Sequence, residues 1–256
     1  MGIDLTQFER GDPFVGDYHA ALTALQERLA SLQVAQIVHR KRALVIFEGW
    51  SCSGKRAALK RLVAAWDPCH LATRCVAGRE HGDDERHWLA PFWSALPPAG
   101  DTTLFYRSWY RRLIEDRLVG RSDAKRWSRA CDEINEFEAQ QRDHGTLIVK
   151  LFFHVSAEEQ QHRLRERLAD PWRRHLVGEE HALTGDERER ATEALHEMFL
   201  ATDTRWAPWR AIDANDKRSA RVAALTAIAD SFAKAMPAEP PATGDTVVAF
   251  PAQRSA

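Results

Sequence analysis

An α/β domain built on a parallel sheet with helices on both faces is the fold this sequence predicts, and three observations carry it. Extended and helical segments alternate along most of the chain. An apolar run at residues 43–47 passes through a short bend of Gly, Ser and Cys into a helical stretch. Residues 146–155 are almost continuously apolar, as a central parallel strand covered on both faces must be. With 256 residues, 44% of them hydrophobic, the chain can bury one sizeable core. The division predicted is an N-terminal arm and packing helix over residues 1–42, the sheet domain over 43–235 and a mobile tail over 236–256, where Pro, Ala, Gly and Thr dominate.

The first 17 residues lack periodicity and are expected to wrap the domain as an extended arm. Leu22, Leu25, Leu29 and Leu32 then recur at three- and four-residue intervals, which marks the inner face of a packing helix; Glu27, Arg28 and Gln33 fall on the wet side. After the first strand, Gly49-Trp50-Ser51-Cys52-Ser53-Gly54-Lys55 fits G-x-x-x-x-G-K between a strand and a helix. Gly49 and Gly54 let backbone N–H groups turn inward around an anion, the following helix aims its positive end there, and Lys55 adds a full charge. The ligand predicted is a phosphate chain, held by Gly49, Ser51, Cys52, Ser53, Gly54, Lys55 and Arg56. Arg56 stands where a hydroxyl residue usually follows the lysine, so the ordinary side-chain ligand for Mg²⁺ is missing. Cys52 is read as a small residue suited to a tight loop.

The helix from Lys55 is expected to reach about Trp66 and stop before Asp67-Pro68. Residues 70–76 give a second strand interrupted by Arg74, and residues 84–96 a helix kinked or restarted at Pro91. A turn at Pro97-Pro98-Ala99-Gly100 leads into a third strand at 102–106, and Arg107-Ser108-Trp109-Tyr110 opens a helix through 118. The next helix, 123–143, ends at His144-Gly145, where glycine takes the left-handed stop conformation. Ser156-Ala157-Glu158-Glu159 and Thr184-Gly185-Asp186-Glu187 have capping-box spacing and start two further helices, the first ending at Asp170-Pro171. A short strand at 211–213 and a helix at 216–235 close the domain. Phe92, Trp93, Trp109 and Trp209 are assigned to the core. On the helix after Ser156, Arg163, Arg165 and Arg167 alternate with other residues, and one of the three is expected to face a substrate channel.

The formal net charge of −1 argues against a nucleic-acid binder, so a polyanion must meet a local cluster of arginines. The four cysteines, Cys52, Cys69, Cys75 and Cys131, have no C-x-x-C or zinc spacing and read as reduced cytoplasmic thiols. Residues 1–10 have neither a basic start nor an apolar core, and no apolar run reaches membrane-spanning length, so neither a leader nor a membrane partner is expected.

Several segments, in order, resemble the family 2 polyphosphate kinases. Phe47-Glu48-Gly49-Trp50 with Gly54-Lys55 is similar to that family's phosphate loop, and Pro98-Ala99-Gly100 followed by Arg107-Ser108-Trp109-Tyr110 to its second signature. Asp132 to Glu138, Asp143-His144-Gly145, Glu158-Glu159-Gln160, Asp170-Pro171, Ala207-Pro208-Trp209 and Asp216-Lys217-Arg218 with Ala220-Arg221 continue the resemblance. It implies a P-loop kinase-like fold with a helical lid at about 163–190, phosphoryl transfer between inorganic polyphosphate and a nucleotide, Mg²⁺ as cofactor and a homo-oligomer. It gives Lys55 and Arg107 catalytic roles and Arg173 with Arg174 a place in the lid. The sequence departs from the family where an aspartate is expected: Ser51 stands in the loop and Tyr106 at the end of the third strand. Metal ligands stay unassigned, with Glu48 and Asp116 as replacement carboxylates. Two readings follow, an enzyme of this kind and a binding protein that keeps the anion cradle without turnover.

Overall fold

The structure is a computed structural model that describes residues 2–76, 86–177 and 185–240. Five strands, β1 (Arg42–Gly49), β2 (Leu71–Cys75), β3 (Thr102–Tyr106), β4 (Thr146–His154) and β5 (Trp209–Asp213), pair in parallel in the order β2-β3-β1-β4-β5. The apolar runs dictate the two central places: Ala43, Leu44, Val45, Ile46 and Phe47 of β1 are fully buried, and β4 is buried along nearly its whole length. β2 lies at the edge with most of its residues exposed, so Arg74 keeps its side chain in water and does not interrupt the strand.

Helices α1 (Tyr18–Val38), α2 (Lys55–Val63) and α8 (Lys217–Ala235) form one layer, α8 lying against β4 and β5. On the other side, α4 (Trp109–Leu118), α5 (Ala124–Asp143) and α7 (Gly185–Thr202) pack on one another, with α5 against β4. The short α3 (Ala90–Trp93) follows β2, and α6 (Ala157–Ala169) follows β4. Side-chain oxygens of Asp17, Ser108, Asp123, Ser156 and Asp216 cap α1, α4, α5, α6 and α8.

The leucine face of α1 packs as its spacing predicts, but Gln33 belongs to it as well and is buried. Its amide oxygen accepts from the Asp67 N–H (2.7 Å) and its amide N–H donates to the Asp67 carbonyl (3.2 Å), so a polar side chain satisfies the turn before β2. Around Pro91 the described helix is only Ala90–Trp93, and residues 84 and 85 lie outside the described residues. Trp93 is 45% exposed rather than core, its ring centre 4.9 Å from that of Phe137 in an edge-to-face arrangement. The helix after the loop stops at Val63, and β5 begins at Trp209, earlier than its polar sequence suggests.

The N-terminal arm does lie on the domain. Gly11 donates to Asp213 (2.8 Å), Asn215 to the Phe8 carbonyl (3.2 Å) and Ser219 to the Asp12 carbonyl (2.8 Å), which fastens the arm beyond the carboxyl end of β5. Thr184 of the second capping box, residues 178–184 of the expected lid and residues 241–256 of the expected tail lie outside the described residues.

Candidate functional site

The crevice at the carboxyl ends of the strands is centred on β1, where the chain order of the sheet changes direction. Gly49 ends β1 with φ +127°, and a Cβ there would stand 2.2 Å from the Phe153 carbonyl oxygen, so only glycine fits this approach to β4. Gly54 caps α2 in the left-handed conformation, φ +93°. Between them Cys52 takes φ +62°, a conformation that costs a non-glycine residue about 1–2 kcal/mol.

Side chains from two helices hold this loop. Arg163 of α6, itself buried, donates to the Cys52 carbonyl (3.2 Å), to the carbonyls of Ala214 (2.8 Å) and Asn215 (2.7 Å), and to Glu159 (2.6 Å). Gln160 donates to the carbonyl (3.1 Å) and hydroxyl (3.0 Å) of Ser51 and accepts from Arg188 of α7. Arg188 also donates to the Val155 carbonyl (2.5 Å), with its guanidinium 4.2 Å from the centre of the Trp50 ring. The Trp50 indole donates to Nδ1 of His154 (2.9 Å), which leaves Nε2–H to donate to Glu9 of the arm (2.8 Å). Burial holds the His154 pKa below its ordinary value, in keeping with this neutral tautomer.

Lys55 is 2% exposed. Its ammonium donates to the carbonyls of Gly49 and Trp50 (both 2.6 Å) and approaches the Ser53 hydroxyl at 3.4 Å. Removal from water, with the Arg107 charge adding to it, lowers its pKa to about 7. Glu48 lies on the other side, its Oε1 accepting from the N–H (2.6 Å) and hydroxyl (2.8 Å) of Ser108, which ties β1 to the start of α4. Burial raises its pKa against the pull of those bonds and of Lys55.

Tyr106 ends β3 with three cations about its ring: Arg56 at 5.1 Å, Lys55 at 5.9 Å and Arg107 at 5.9 Å. Arg107 has φ +64° and its N–H donates to the Phe47 carbonyl (3.1 Å), so the turn out of β3 is locked to β1. Glu138 is engaged with Lys150 (2.9 Å).

A cavity opens on each side of the loop. One, of about 170 Å³, is lined by Glu48, Gly49, Trp50, Ser51, Arg107, Arg111 and Glu115 together with the apolar Ile114, Leu118, Phe152, Leu195 and Met198. The second, of about 250 Å³, is lined by Cys52, Ser53, Gly54 and the cations Arg163, Arg167, Arg173, Lys217 and Arg221, with Glu166 as its carboxylate.

The structure thus gathers Gly49, Ser51, Cys52, Ser53, Gly54, Lys55, Arg56 and Arg107 around one loop. Arg173 lines the cationic cavity from its rim, 73% exposed and 3.1 Å from Asp170. Arg174 is exposed in the 3-10 turn Arg174–Leu176 and lines neither cavity. Of the three α6 arginines, Arg163 fastens the loop and Arg167 lines the cavity. Sequence reasoning offered Arg163, Arg165 and Arg167 as channel candidates without choosing among them, and it missed the roles of Gln160, Arg188, Lys217 and Arg221. The four-residue spacings of Arg163 with Arg167 and of Lys217 with Arg221 put each pair on one helix face, and that signal would have found the cationic wall.

The donor set offers, among the described residues, no all-protein cage for a divalent cation. Among the described residues no three or more His, Cys, Asp or Glu side chains form a group able to hold a metal. Glu48 is buried and committed to Ser108, and Asp116 faces Arg121 at 3.8 Å.

The sequence profile of polyphosphate kinase 2 matches residues 15–240. This chain belongs to the polyphosphate kinase 2 family. It is 33% identical to the polyphosphate:AMP phosphotransferase of Pseudomonas aeruginosa over 230 residues, 90% of this chain and 46% of that protein. It is 32% identical to ADP-polyphosphate phosphotransferase 2 of Rhizobium meliloti over 80% of this chain and 67% of that one. The crystal structure of polyphosphate kinase 2 from Arthrobacter aurescens TC1 superposes with a TM-score of 0.83 at 28% identity, over 96% of this chain and 88% of that one. The chain spans about half the length of the Pseudomonas and Acinetobacter phosphotransferases it matches. The polyphosphate kinase 2 match runs from α1 to past α8, so it contains the loop and both cavities. The P-loop kinase-like sheet is shared with the solved polyphosphate kinase 2 structures.

Proposed function

We propose that this polyphosphate kinase 2 member seats an inorganic polyphosphate chain in the cationic cavity and a nucleotide in the mixed cleft across the loop, and that a phosphoryl group passes between them beside Lys55. The observation that carries this reading is the loop itself, which stands between a cavity rich in cations and a half-apolar one. A linear polyanion suits the first; a base and sugar with a phosphate tail suit the second. Transfer of a phosphoryl group rests on positioning and charge neutralisation, which Lys55, Arg107 and the loop N–H groups supply. An arriving phosphate draws the Lys55 ammonium from the Gly49 and Trp50 carbonyls, and Arg173 and Arg174, past Asp170-Pro171, would close over the chain. Self-association belongs to this reading on the resemblance alone.

A second reading, binding without turnover, is favoured by one specific observation: Ser51 and Tyr106 are not carboxylates, and among the described residues no carboxylate cluster stands at the loop. The test is a transfer assay with polyphosphate, AMP or ADP, and Mg²⁺, beside the Lys55→Ala protein. Transfer that falls at least tenfold in the variant supports the enzyme. Ligand-induced stabilisation without transfer supports the second reading, and neither transfer nor stabilisation contradicts both.

A further inference from the structure

We infer that the cradle takes its phosphate chain as the bare polyanion, without a divalent cation, and that the Tyr106 ring is the positioning group that gathers the cations for it. This rests on the reading that the loop grips a phosphate chain. Lys55, Arg56 and Arg107 come from two different turns of the chain, yet all three lie within 6 Å of the centre of one ring. An aromatic face attracts cations through its quadrupole and leaves their charge intact, whereas a carboxylate in that place would cancel one charge and give a metal its ligand. On the far side of the loop, Arg167, Arg173, Lys217 and Arg221 extend the same positive field, offset in part by Glu166, 3.4 Å from Lys217, and by Asp170, 3.1 Å from Arg173. A divalent cation brought into this field meets repulsion and, among the described residues, no anionic side-chain cluster. A phosphate chain entering it finds its charge offset by the protein, and Mg²⁺ on the chain subtracts from the attraction.

The test is calorimetric titration with linear tripolyphosphate, once in excess chelator and once in excess Mg²⁺. The expected result is a dissociation constant in chelator equal to or lower than that in Mg²⁺. Binding at least tenfold tighter with Mg²⁺ overturns the inference while leaving the proposed phosphate site standing, and no binding in either buffer overturns both. The ring is tested in the chelator arm: Tyr106→Leu should weaken binding about two- to fivefold, as loss of exposed cation–π contacts does, while Tyr106→Phe retains it. Equal affinity of the Leu and wild-type proteins removes the ring from the account.

Discussion

Lys55 carries its charge at a cost, because its ammonium is out of water and close to Arg107. Its pKa is about 7 in the folded chain, against an ordinary lysine value of 10.5, so between those values the unfolded chain binds more protons. Stability therefore rises with pH across that window, and the full cost is present below pH about 7. A phosphate seated at the loop supplies the counter-charge and restores the proton. At pH 8, binding of tripolyphosphate is expected to take up close to one proton, about 0.5–1, read from calorimetry in buffers of different ionisation enthalpy. Binding without proton uptake would show that Lys55 does not meet the anion. At this scale the sequence was informative where chemistry is local, since G-x-x-x-x-G-K needs only its own spacing. It was silent on Gln160, whose partner Ser51 lies 109 residues away, and it put Gln33 in water because a leucine stripe says nothing of the amide that closes a neighbouring turn.

The elements are held by a second, wholly apolar-looking region that contains a buried charge. Lys150 interrupts the apolar run of β4, and its ammonium donates to Glu138 of α5 (2.9 Å), the Tyr110 hydroxyl of α4 (3.0 Å) and the Thr202 carbonyl of α7 (2.8 Å). Burial lowers the Lys150 pKa and raises that of Tyr110, both opposed to free charge in this place. One cation thus joins the sheet to the helices that wall the mixed cleft. Glu138→Ala leaves a buried ammonium without its counter-ion, a loss of about 3–5 kcal/mol. A melting temperature lower by roughly 6–20 °C is expected for a chain of this size. A fall of less than 1 °C would show that the pair does not hold these helices to the sheet. Strand and helix types were legible here from period and capping residues. The pairing of Lys150 with Glu138 was not, because each residue alone reads as a flaw in an apolar pattern or as a wet face of a helix.

Across the molecule, alternating strands and helices made the parallel sheet legible, but not the order β2-β3-β1-β4-β5, which depends on pairings between segments far apart in the chain. That order matters because it puts β1 and its loop between β3, which brings Arg107 and Tyr106, and β4, whose following helix brings Gln160 and Arg163. The arm adds a third support through Glu9 and His154 to Trp50. Transfer, the cation cradle and proton uptake at Lys55 all require that a phosphate chain enter the loop so supported. The most direct test is thermal melting with and without tripolyphosphate, for the wild type and for Lys55→Ala. Ligand at a hundred times its dissociation constant stabilises a folded protein by about 2.7 kcal/mol, roughly 5–11 °C here, and the variant should lose most of that shift. A wild-type melting temperature that does not move, or an equal rise in both proteins, would contradict the account.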